Sequence, residues 1–450
     1  MLQMTKTFRG TAQRALIAYA VLGVLSGTPS MATAQTADTL SFGEAIHQAI
    51  EHSPSMAAGM AAVEAARARY ATTESYTLPQ ISGDATYTRL DPVVTLTIPG
   101  PGGVMQSFST MPHDMYNVGI SISEPVLAFG RFSAGIKLAE SGIHAAQDGL
   151  DQVRAQAAYQ TARLYYALLT TDESLRVEQD QLHVLETSLA VTEAREKQGA
   201  ATKLDPLTVQ VRISAIRSQI SDLTAARTKQ ESMLRRLIGR TTIGHIAVRR
   251  PAQGPALPTE LDALMELAMK GRPEITLARD AEQSVALQID VIKASDDPLV
   301  SANVAGGVKD GYLPNLTQGK LNWAGTVNLH VPIIDGGRTR SQVDEAEANL
   351  RAAKARTEDV ILSVRSDVEQ ARAEWQASRD RVELVRTQIE QAKEAYDIAK
   401  VRYQNGASTN LDLMNAEQAL EQAKLQYAQV SYSYELSQYE LCRAVGTPLW

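Results

Sequence analysis

The segment 341–404 places the strongest constraint on the fold of this chain. It is sixty-four residues long and contains neither glycine nor proline. Between positions 350 and 403 its apolar and small residues recur at alternating steps of three and four, with one double-four step between Val360 and Val368. That spacing is typical of the seam of a coiled coil. At about 1.5 Å per residue the helix is roughly 96 Å long, so it requires other long helices to pack against.

The first 34 residues have the pattern of a secretory signal peptide. Lys6, Arg9 and Arg14 form a basic head, an apolar run of about eleven residues follows at 15–25, and the small residues 32–34 provide a cleavage site. The alternative is a membrane-anchoring helix, which needs about 20 apolar residues. Because the run is much shorter, we expect residues 1–34 to be removed on export.

The composition of the exported chain excludes some classes of function and structure. Removal of residues 1–34 takes away three positive charges and no negative ones, which changes the formal net charge from −7 to −10. A chain this acidic lacks the basic surface that phosphate contacts require, so we expect no nucleic acid partner. The single cysteine, Cys442, cannot form an intramolecular disulfide. No later segment approaches 18 consecutive apolar residues, so any membrane crossing is expected to use strands.

Four segments alternate apolar and polar residues with a period of two, which predicts strands with one apolar face each. These segments are 81–88, 116–123, 298–308 and 321–331. The glycine- and proline-rich segment 91–114, between the first two, is interpreted as a loop. Helical patterns cover 41–76 with a break at Pro54, about 132–198, a shorter stretch ending near Gly239, 261–295, the long segment 341–404, and a final stretch to Gly446.

The same order of elements occurs twice, which predicts an internal repeat. Pairs separated by 207 residues include Pro125/Pro332, Gly130/Gly337, Gly199/Gly406, Asp205/Asp412 and Gly239/Gly446. Upstream, Pro54/Pro273 and Pro79/Pro298 are separated by 219 residues, so the first loop between strands is twelve residues longer than the second. We therefore expect a first repeat at 35–239, a linker at 240–260 and a second repeat at 261–450.

Four strands per chain are too few for a closed membrane barrel, since the smallest have about eight. Open edges and an apolar face therefore require strands from other copies. Three copies give twelve strands, with Asn117, Asn328 and His330 facing a water-filled lumen. A helical rod of roughly 100 Å joined to such a barrel has the length needed to cross a periplasm.

Two segments, VPIIDGGR at 331–338 and RYQNGASTNLDLMNAEQAL at 402–420, resemble the TolC family of outer-membrane efflux proteins. With the repeat and the leader, the resemblance covers essentially the whole mature chain. It implies an α+β membrane protein, a homotrimer whose 12-strand β-barrel, with four strands per chain, continues into a long α-helical coiled-coil barrel. The barrel lies in outer-membrane lipid and the helices lie in the periplasm.

The resemblance also implies a function. The protein would be a passive channel-tunnel of a tripartite efflux or type I secretion system, docked to a periplasmic adaptor (membrane fusion) protein. An inner-membrane pump of the RND, ABC or MFS class would supply the energy. The alternative from another class is a periplasmic coiled-coil scaffold or adaptor without a membrane barrel.

The turns between the paired helices are the implied docking site for the adaptor. The residues concerned are Gly199, Ala200, Gly406, Ala407 and Ser408. Glycine followed by small residues exposes backbone and leaves a groove, as docking requires. A second interpretation makes each glycine a helix C-cap, with Thr202 or Thr409 capping the following helix. The two interpretations are compatible.

The implied gate lies just beyond these turns. Asp412 matches a constriction carboxylate of the family, and three copies would form an acidic ring that attracts cations. Asn415 stands where some relatives have a second aspartate, so this ring is expected to carry one charge per chain. The alternative for Asp412 is a solvated residue in the first helical turn.

Asp205 is the equivalent residue of the first repeat. A helix N-cap before Pro206 is the structural interpretation of this aspartate. The resemblance instead implies a hydrogen bond to Tyr403 across neighbouring hairpins, although Ser408 replaces the basic latch residue of some relatives.

No catalytic or cofactor-binding pattern is present, so we expect neither an enzyme nor a cofactor. The segment 104–115 carries Met105, Met111, His113 and Met115, which are ligand types suited to Cu(I). Their spacing is not diagnostic, and we expect no metal site.

Overall fold

The computed structural model describes residues 38–241, 244–251, 254–313 and 315–449. The predicted signal peptide at 1–34 lies outside the described residues. Residues from Thr39 onward belong to one compact unit.

Two pairs of long helices of matched length dominate the structure. Helices α3 (Arg131–Lys197) and α7 (Arg338–Gln404) have 67 residues each, which makes each of them roughly 100 Å long. Each is followed by a short turn and a returning helix, α4 (Leu204–Leu237) or α8 (Asn410–Ala444). The shorter helices are α1 (Phe42–His52), α2 (Pro54–Ser75), α5 (Leu261–Gly271) and α6 (Pro273–Ala294).

Burial along α7 follows the predicted coiled-coil seam. Its buried residues include Ala353, Thr357, Val364, Val368, Ala371, Ser378 and Val385, all of which are seam positions. Helix α7 begins at Arg338, three residues before the segment 341–404, directly after Gly337 in the left-handed conformation. Helix α3 packs against α4, and α7 packs against α8. Helix α3 also contacts α8, and α6 contacts both α3 and α7.

A four-stranded antiparallel sheet lies at the end of the long helices where α3 and α7 begin. It is formed by β2 (Gln80–Arg89), β5 (Asp114–Leu127), β7 (Leu299–Lys309) and β8 (Lys320–His330). The strand order is β2-β5-β7-β8, so β2 and β8 are the two edges. Both edge strands have one side without a partner among the described residues, which leaves their backbone groups available for pairing.

The register of this sheet places its apolar side chains on one face. Ile81 lies opposite Ile122, Ile122 opposite Val304, and Val304 opposite Gly325. Trp323 lies on the same face and is 80% exposed. The other face carries polar residues, with Asn328 opposite Ser301. The alternation predicted from the sequence is therefore the alternation of the folded sheet.

The interpretation of 91–114 as a loop was wrong. This segment contains a second hairpin, formed by β3 (Thr95–Pro99) and β4 (Met105–Ser109), whose register places Leu96 opposite Phe108. Its turn uses Gly102 and Gly103, which both have positive φ. The prolines and glycines that favoured a loop stand at the ends of these strands, where they permit five residues of pairing on each side.

The linker 240–260 also contains a strand that the sequence pattern did not indicate. Strand β6 (Ile246–Val248) pairs with β1 (Asp38–Leu40) in a two-stranded sheet. Leu40 and Ile246 are buried with Tyr165 and Tyr166 of α3 in one core cluster. A second cluster surrounds Val368 in the middle of α7. Each long helix therefore has an apolar cluster near its centre.

Among the described residues, no helix combines the length and the apolarity that a membrane span requires.

Candidate functional site: the tips of the two helical hairpins

The two turns that reverse the long helices have the same backbone geometry. In the first, Gly199 has φ +72°, and the amide of Ala200 donates to the carbonyl of Arg195 at 2.8 Å. In the second, Gly406 has φ +71°, and the amide of Ala407 donates to the carbonyl of Arg402 at 2.8 Å. These are glycine C-caps of the Schellman type, which satisfy the last carbonyls of α3 and α7.

The glycines are needed for their conformation and not for lack of space. A Cβ added to Gly199 or Gly406 would meet no atom within 4 Å. Gly199, Ala200, Gly406 and Ala407 are exposed, and Ser408 is partly buried. The tips therefore present open backbone and small side chains to solvent.

A threonine and an aspartate open the returning helix at each tip. The Asp412 carboxylate accepts hydrogen bonds from the Thr409 amide at 2.9 Å and the Thr409 hydroxyl at 2.8 Å, and the Asp412 amide donates back to that hydroxyl. This is a capping box with Thr409 as the N-cap. The Asp205 carboxylate accepts from the amide and the hydroxyl of Thr202 at 2.8 and 2.9 Å.

The N-cap interpretation of Asp205 was wrong. Helix α4 begins at Leu204 with Lys203 as its N-cap residue, so Asp205 lies inside the first turn. Its carboxylate points back to Thr202, as the Asp412 carboxylate does to Thr409. Both carboxylates therefore bind the threonine three residues earlier, but only Thr409 caps its helix. The expected cap by Thr202 was wrong, because the Asp205 amide donates to the Thr202 carbonyl and α4 has no side-chain cap.

Asp412 is exposed and stays ionised over a wide pH range. The hydrogen bond from the Thr409 amide lowers the pKa of Asp412 below its ordinary value, with smaller contributions from the Thr409 hydroxyl and the charge of Arg402. Asn415 is exposed one turn further along α8. The two side chains thus project from the first turns of the helix into solvent, one of them with a fixed negative charge.

Tyr403 does not contact Asp205 within the protomer. The guanidinium carbon of Arg195 lies 4.9 Å from the centre of the Tyr403 ring, a cation–π contact between the last turns of α3 and α7. The predicted bond between Asp205 and Tyr403 joins neighbouring hairpins, and it stays a prediction.

Arg212 connects the two tips, a role that no sequence pattern indicated. Its Nη1 donates to the Met414 carbonyl at 2.7 Å, and its Nη2 lies 3.5 Å from the Asn415 side-chain oxygen. Beneath this contact, Leu185, Val209 and Met414 share a small apolar cluster. Since Asn415 is held by α4, movement of α8 relative to α4 has to break the Arg212 contacts.

Two buried glutamates lie further from the tip, between the hairpins. Glu178 of α3 and Glu417 of α8 are only 5% and 7% exposed. Burial raises the pKa of both, and the charge of Glu421 raises each further; for Glu417, Arg212, Lys424 and Lys400 oppose the effect. A cavity of about 410 Å³ separates α3, α4 and α8 beside Glu178.

The methionine- and histidine-bearing segment 104–115 does not form a cluster at this site. Met105 belongs to β4 and Met115 to β5, while the Nδ1 of His113 lies 3.1 Å from the Leu90 carbonyl oxygen. In the described part of the chain, no group of three or more histidine, cysteine, aspartate or glutamate residues is placed to hold a metal ion.

The fold and the hairpin tips together define a class of protein. A strand-paired sheet with one apolar face, joined to helices of roughly 100 Å, belongs to channels that extend from a membrane into an aqueous compartment. The family model for "Outer membrane efflux protein" matches residues 45–240 and 264–447. The chain belongs to that family, which confirms the resemblance found in the sequence.

Known proteins of similar sequence and fold agree with this assignment. Outer membrane protein OprJ of Pseudomonas aeruginosa is 25% identical over 424 residues, spanning 89% of this chain and 83% of OprJ. Alkaline protease secretion protein AprF of the same species is 22% identical over 332 residues, spanning 72% of this chain and 68% of AprF. The crystal structure of the outer membrane protein VceC from Vibrio cholerae superimposes with a TM-score of 0.72 at 20% identity, over 90% of this chain and 96% of VceC.

The protein is therefore an outer-membrane channel component whose helical part lies in the periplasm. The family match favours the channel over the periplasmic scaffold that the sequence left open.

Proposed function

We propose that three copies of this chain form a passive duct that carries substrates across the periplasm and the outer membrane. The observation that carries the proposal is the four-stranded sheet with two unpaired edges and one apolar face, directly continuous with two 67-residue helices. In this arrangement the sheet supplies part of a membrane barrel, and the helices supply part of a tunnel wall.

The edges of the sheet support a closed ring of three. Pairing of β2 from one copy with β8 from the next satisfies both edges, and three copies give twelve strands. The face that carries Trp323 and Ile81 then contacts lipid, whereas Asn117, Asn328 and His330 face water. One copy alone would expose its polar face and two rows of unpaired backbone groups to lipid, which is unstable.

The exposed tips support docking of a periplasmic adaptor. Gly199, Ala200, Gly406 and Ala407 expose the turns of both hairpins, and Ser408 lies beside them. Small residues permit close approach of a partner helix. An adaptor bound here would connect the duct to an inner-membrane pump of the RND, ABC or MFS class, which supplies the energy.

The position of Asp412 supports a gate at the same end. Three copies related by a threefold axis would place three ionised carboxylates around the tunnel, with Asn415 one turn above them. Asp205 of α4 and Tyr403 of α7, on different hairpins, are proposed to hold neighbouring hairpins together when the tunnel is closed. Because Arg212 binds Met414 and Asn415, its contacts with α8 form part of the closed arrangement.

A conductance measurement tests the proposal. The purified protein, reconstituted in a planar lipid bilayer, is expected to give uniform single-channel steps that favour cations. Disruption of the apolar face by Val118→Asp and Val304→Asp serves as a matched negative control, because both residues lie on the lipid-contacting face. Absence of steps from the unmodified protein, in spite of its incorporation into the bilayer, contradicts the duct.

A further inference from the structure

The hairpin β3–β4 carries an apolar face to which the proposed duct assigns no role. Residues 92–112 include no aspartate, glutamate, lysine, arginine or histidine. On one side of the hairpin Leu96 lies opposite Phe108, and these residues are 55% and 49% exposed. On the other side the hydroxyl of Thr97 lies 2.8 Å from that of Ser107. The hairpin is therefore amphipathic, and its apolar face is uncovered.

The strand register relates this face to the apolar face of the main sheet. Strands β2 and β3 form the first limb of this hairpin, and β4 and β5 form the second. On the second limb, even-numbered residues lie on the apolar side in both sheets: Ile122 and Val118 in β5, and Phe108 in β4. Along the first limb the apolar residues change from odd numbers, such as Ile81, to even numbers, such as Leu96.

One additional residue on the first limb explains this change. Leu90 is hydrogen-bonded to His113, and Val94 to Thr110, so three residues on the first limb oppose two on the second. A bulge of this kind shifts the phase of one strand and re-aims its side chains. The shift keeps Leu96 on the same side of the hairpin as Phe108.

The hairpin also begins at the level where the membrane ends. Strands β7 and β8 have 11 residues each, which is the length that a tilted strand needs to cross a bilayer. At the end of the sheet remote from the helices, Tyr87 and Tyr116 stack with their ring centres 5.2 Å apart. Paired aromatic residues of this kind are typical of a membrane–water interface.

An ion pair marks the same boundary. Arg89 and Asp114 lie 3.2 Å apart, directly beyond the tyrosine pair. Charged groups favour water over hydrocarbon, so the membrane core ends below them. The uncharged segment 92–112 lies beyond this pair: it begins three residues after Arg89 and ends two residues before Asp114.

We propose that the apolar face of β3–β4 lies on the outer leaflet of the outer membrane and buries Leu96, Ile98 and Phe108 among the lipid acyl chains at its surface. Amphipathic segments with a polar opposite face bind at this depth. The inference rests on the membrane position of the sheet in the proposed duct. Its ligand is lipid hydrocarbon, which explains why the hairpin needs no charged residue.

Tryptophan fluorescence in vesicles of acyl-chain-brominated phosphatidylcholine tests this inference, because bromine quenches only tryptophan that contacts the acyl chains. The chain has three tryptophans, at 323, 375 and 450. Trp375→Phe with Trp450→Phe leaves Trp323 as a reference for the sheet. Adding Trp323→Phe with Phe108→Trp reports on the apolar face of the hairpin, and Ser107→Trp in place of Phe108→Trp reports on its polar face.

We expect tryptophan at 108 to be blue-shifted and quenched to an extent comparable with Trp323, and tryptophan at 107 to be neither. If Trp323 is quenched and tryptophan at 108 is not, the hairpin inference is overturned and the duct is unaffected. If Trp323 itself is not quenched, the sheet does not lie in the membrane, and both proposals fail.

A cross-linking measurement tests whether the apolar face instead contacts the hairpins of neighbouring copies. Leu96→Cys in a Cys442→Ala background is expected to stay uncross-linked on oxidation, because lipid separates the three hairpins. Disulfide-linked dimers would show that the apolar faces meet one another, and this result overturns the lipid contact. Thr97→Cys, on the polar face, is the matched control.

Discussion

At the scale of single residues, the two left-handed glycines Gly406 and Gly446 differ in what surrounds them. Both have φ near +70°, at +71° and +73°. A Cβ on Gly406 would meet open space, whereas a Cβ on Gly446 would overlap the Gly271 carbonyl and lie 2.7 Å from the Arg272 amide nitrogen. The first glycine is therefore required by backbone conformation alone, and the second by conformation and by packing.

Alanine substitutions at these two positions should separate the two requirements. Gly406→Ala is expected to lower the free energy of unfolding by about 1–2 kcal/mol, the cost of a left-handed non-glycine residue. Gly446→Ala adds the displacement of backbone, which costs about 1–3 kcal/mol more. Thermal melting of the purified protein in detergent measures both. Equal melting temperatures for the two variants would show that the approach of Gly271 to Gly446 is not restrictive.

The carboxylate of Asp412 gives a second prediction at this scale. Asp412→Ala is expected to raise single-channel conductance and to reduce blockage by multivalent cations, because it removes the negative ring proposed at the tunnel end. Asp222→Ala is the control, since it removes the same charge from an exposed position in the middle of α4.

Loss of the capping box is a separate consequence of the Asp412 substitution. It should lower the melting temperature, so melting curves have to accompany the conductance records. Unchanged conductance and unchanged cation blockage in a stable Asp412→Ala protein would refute the gate.

At the scale of elements, the contact between α3 and α8 contains ionisable groups that are unfavourable when charged. Glu178 and Glu417 have an ordinary pKa of 4.5, and burial raises the pKa of both in the folded protein. The folded state therefore binds these protons more tightly than the unfolded chain. Their contribution to stability is complete below pH 4.5 and is lost as the pH rises through the raised pKa.

Replacement of these side chains by neutral amides should remove the loss of stability at higher pH. Glu178→Gln and Glu417→Gln are expected to raise the melting temperature at about pH 7.5 and to change it little near pH 4.5, because the amide resembles the protonated acid. Glu390→Gln, at an exposed position of α7, controls for net charge. A stabilisation that does not depend on pH would contradict the assignment of these groups.

The sequence predicted the long helices and strands well because their apolar residues recur with a regular period. The seam of α7 repeats over some fifty residues, and strand β8 alternates over its full length, so single exceptions such as Ser378 or Ala324 do not obscure either pattern. The hairpin β3–β4 was missed because five residues give too little alternation to outweigh Gly100, Pro101, Gly102 and Gly103. Strands β1 and β6, with three residues each, carry no period at all.

The candidate site could be predicted only in part, for a related reason. Gly199, Gly406 and Thr409 act through the backbone within a few residues, so local sequence indicates their roles. Arg212 and Glu417 act through helices that are distant in sequence. Arg212 reaches Met414, some two hundred residues away, and neither residue has a neighbour in sequence that reveals the contact.

At the scale of the whole molecule, the open edges of the sheet lead to a prediction about assembly. If β2 of one copy pairs with β8 of the next, cysteines on their polar faces come within disulfide distance across the junction. In a Cys442→Ala background, Ser82→Cys or Thr86→Cys is combined with Thr326→Cys or Asn328→Cys. At least one combination is expected to give a covalent trimer on oxidation, since a closed ring of three has three identical junctions.

The product distribution distinguishes a ring from other assemblies. A closed trimer stops at three chains, whereas head-to-tail association that does not close continues into longer ladders. Each single-cysteine variant serves as a control, because a β2 cysteine and a β8 cysteine have to meet for the ring to be linked. If no combination yields a species larger than a dimer in membranes or detergent, the edges of the sheet do not pair in this way. The twelve-stranded barrel then has to be abandoned, together with the duct that depends on it.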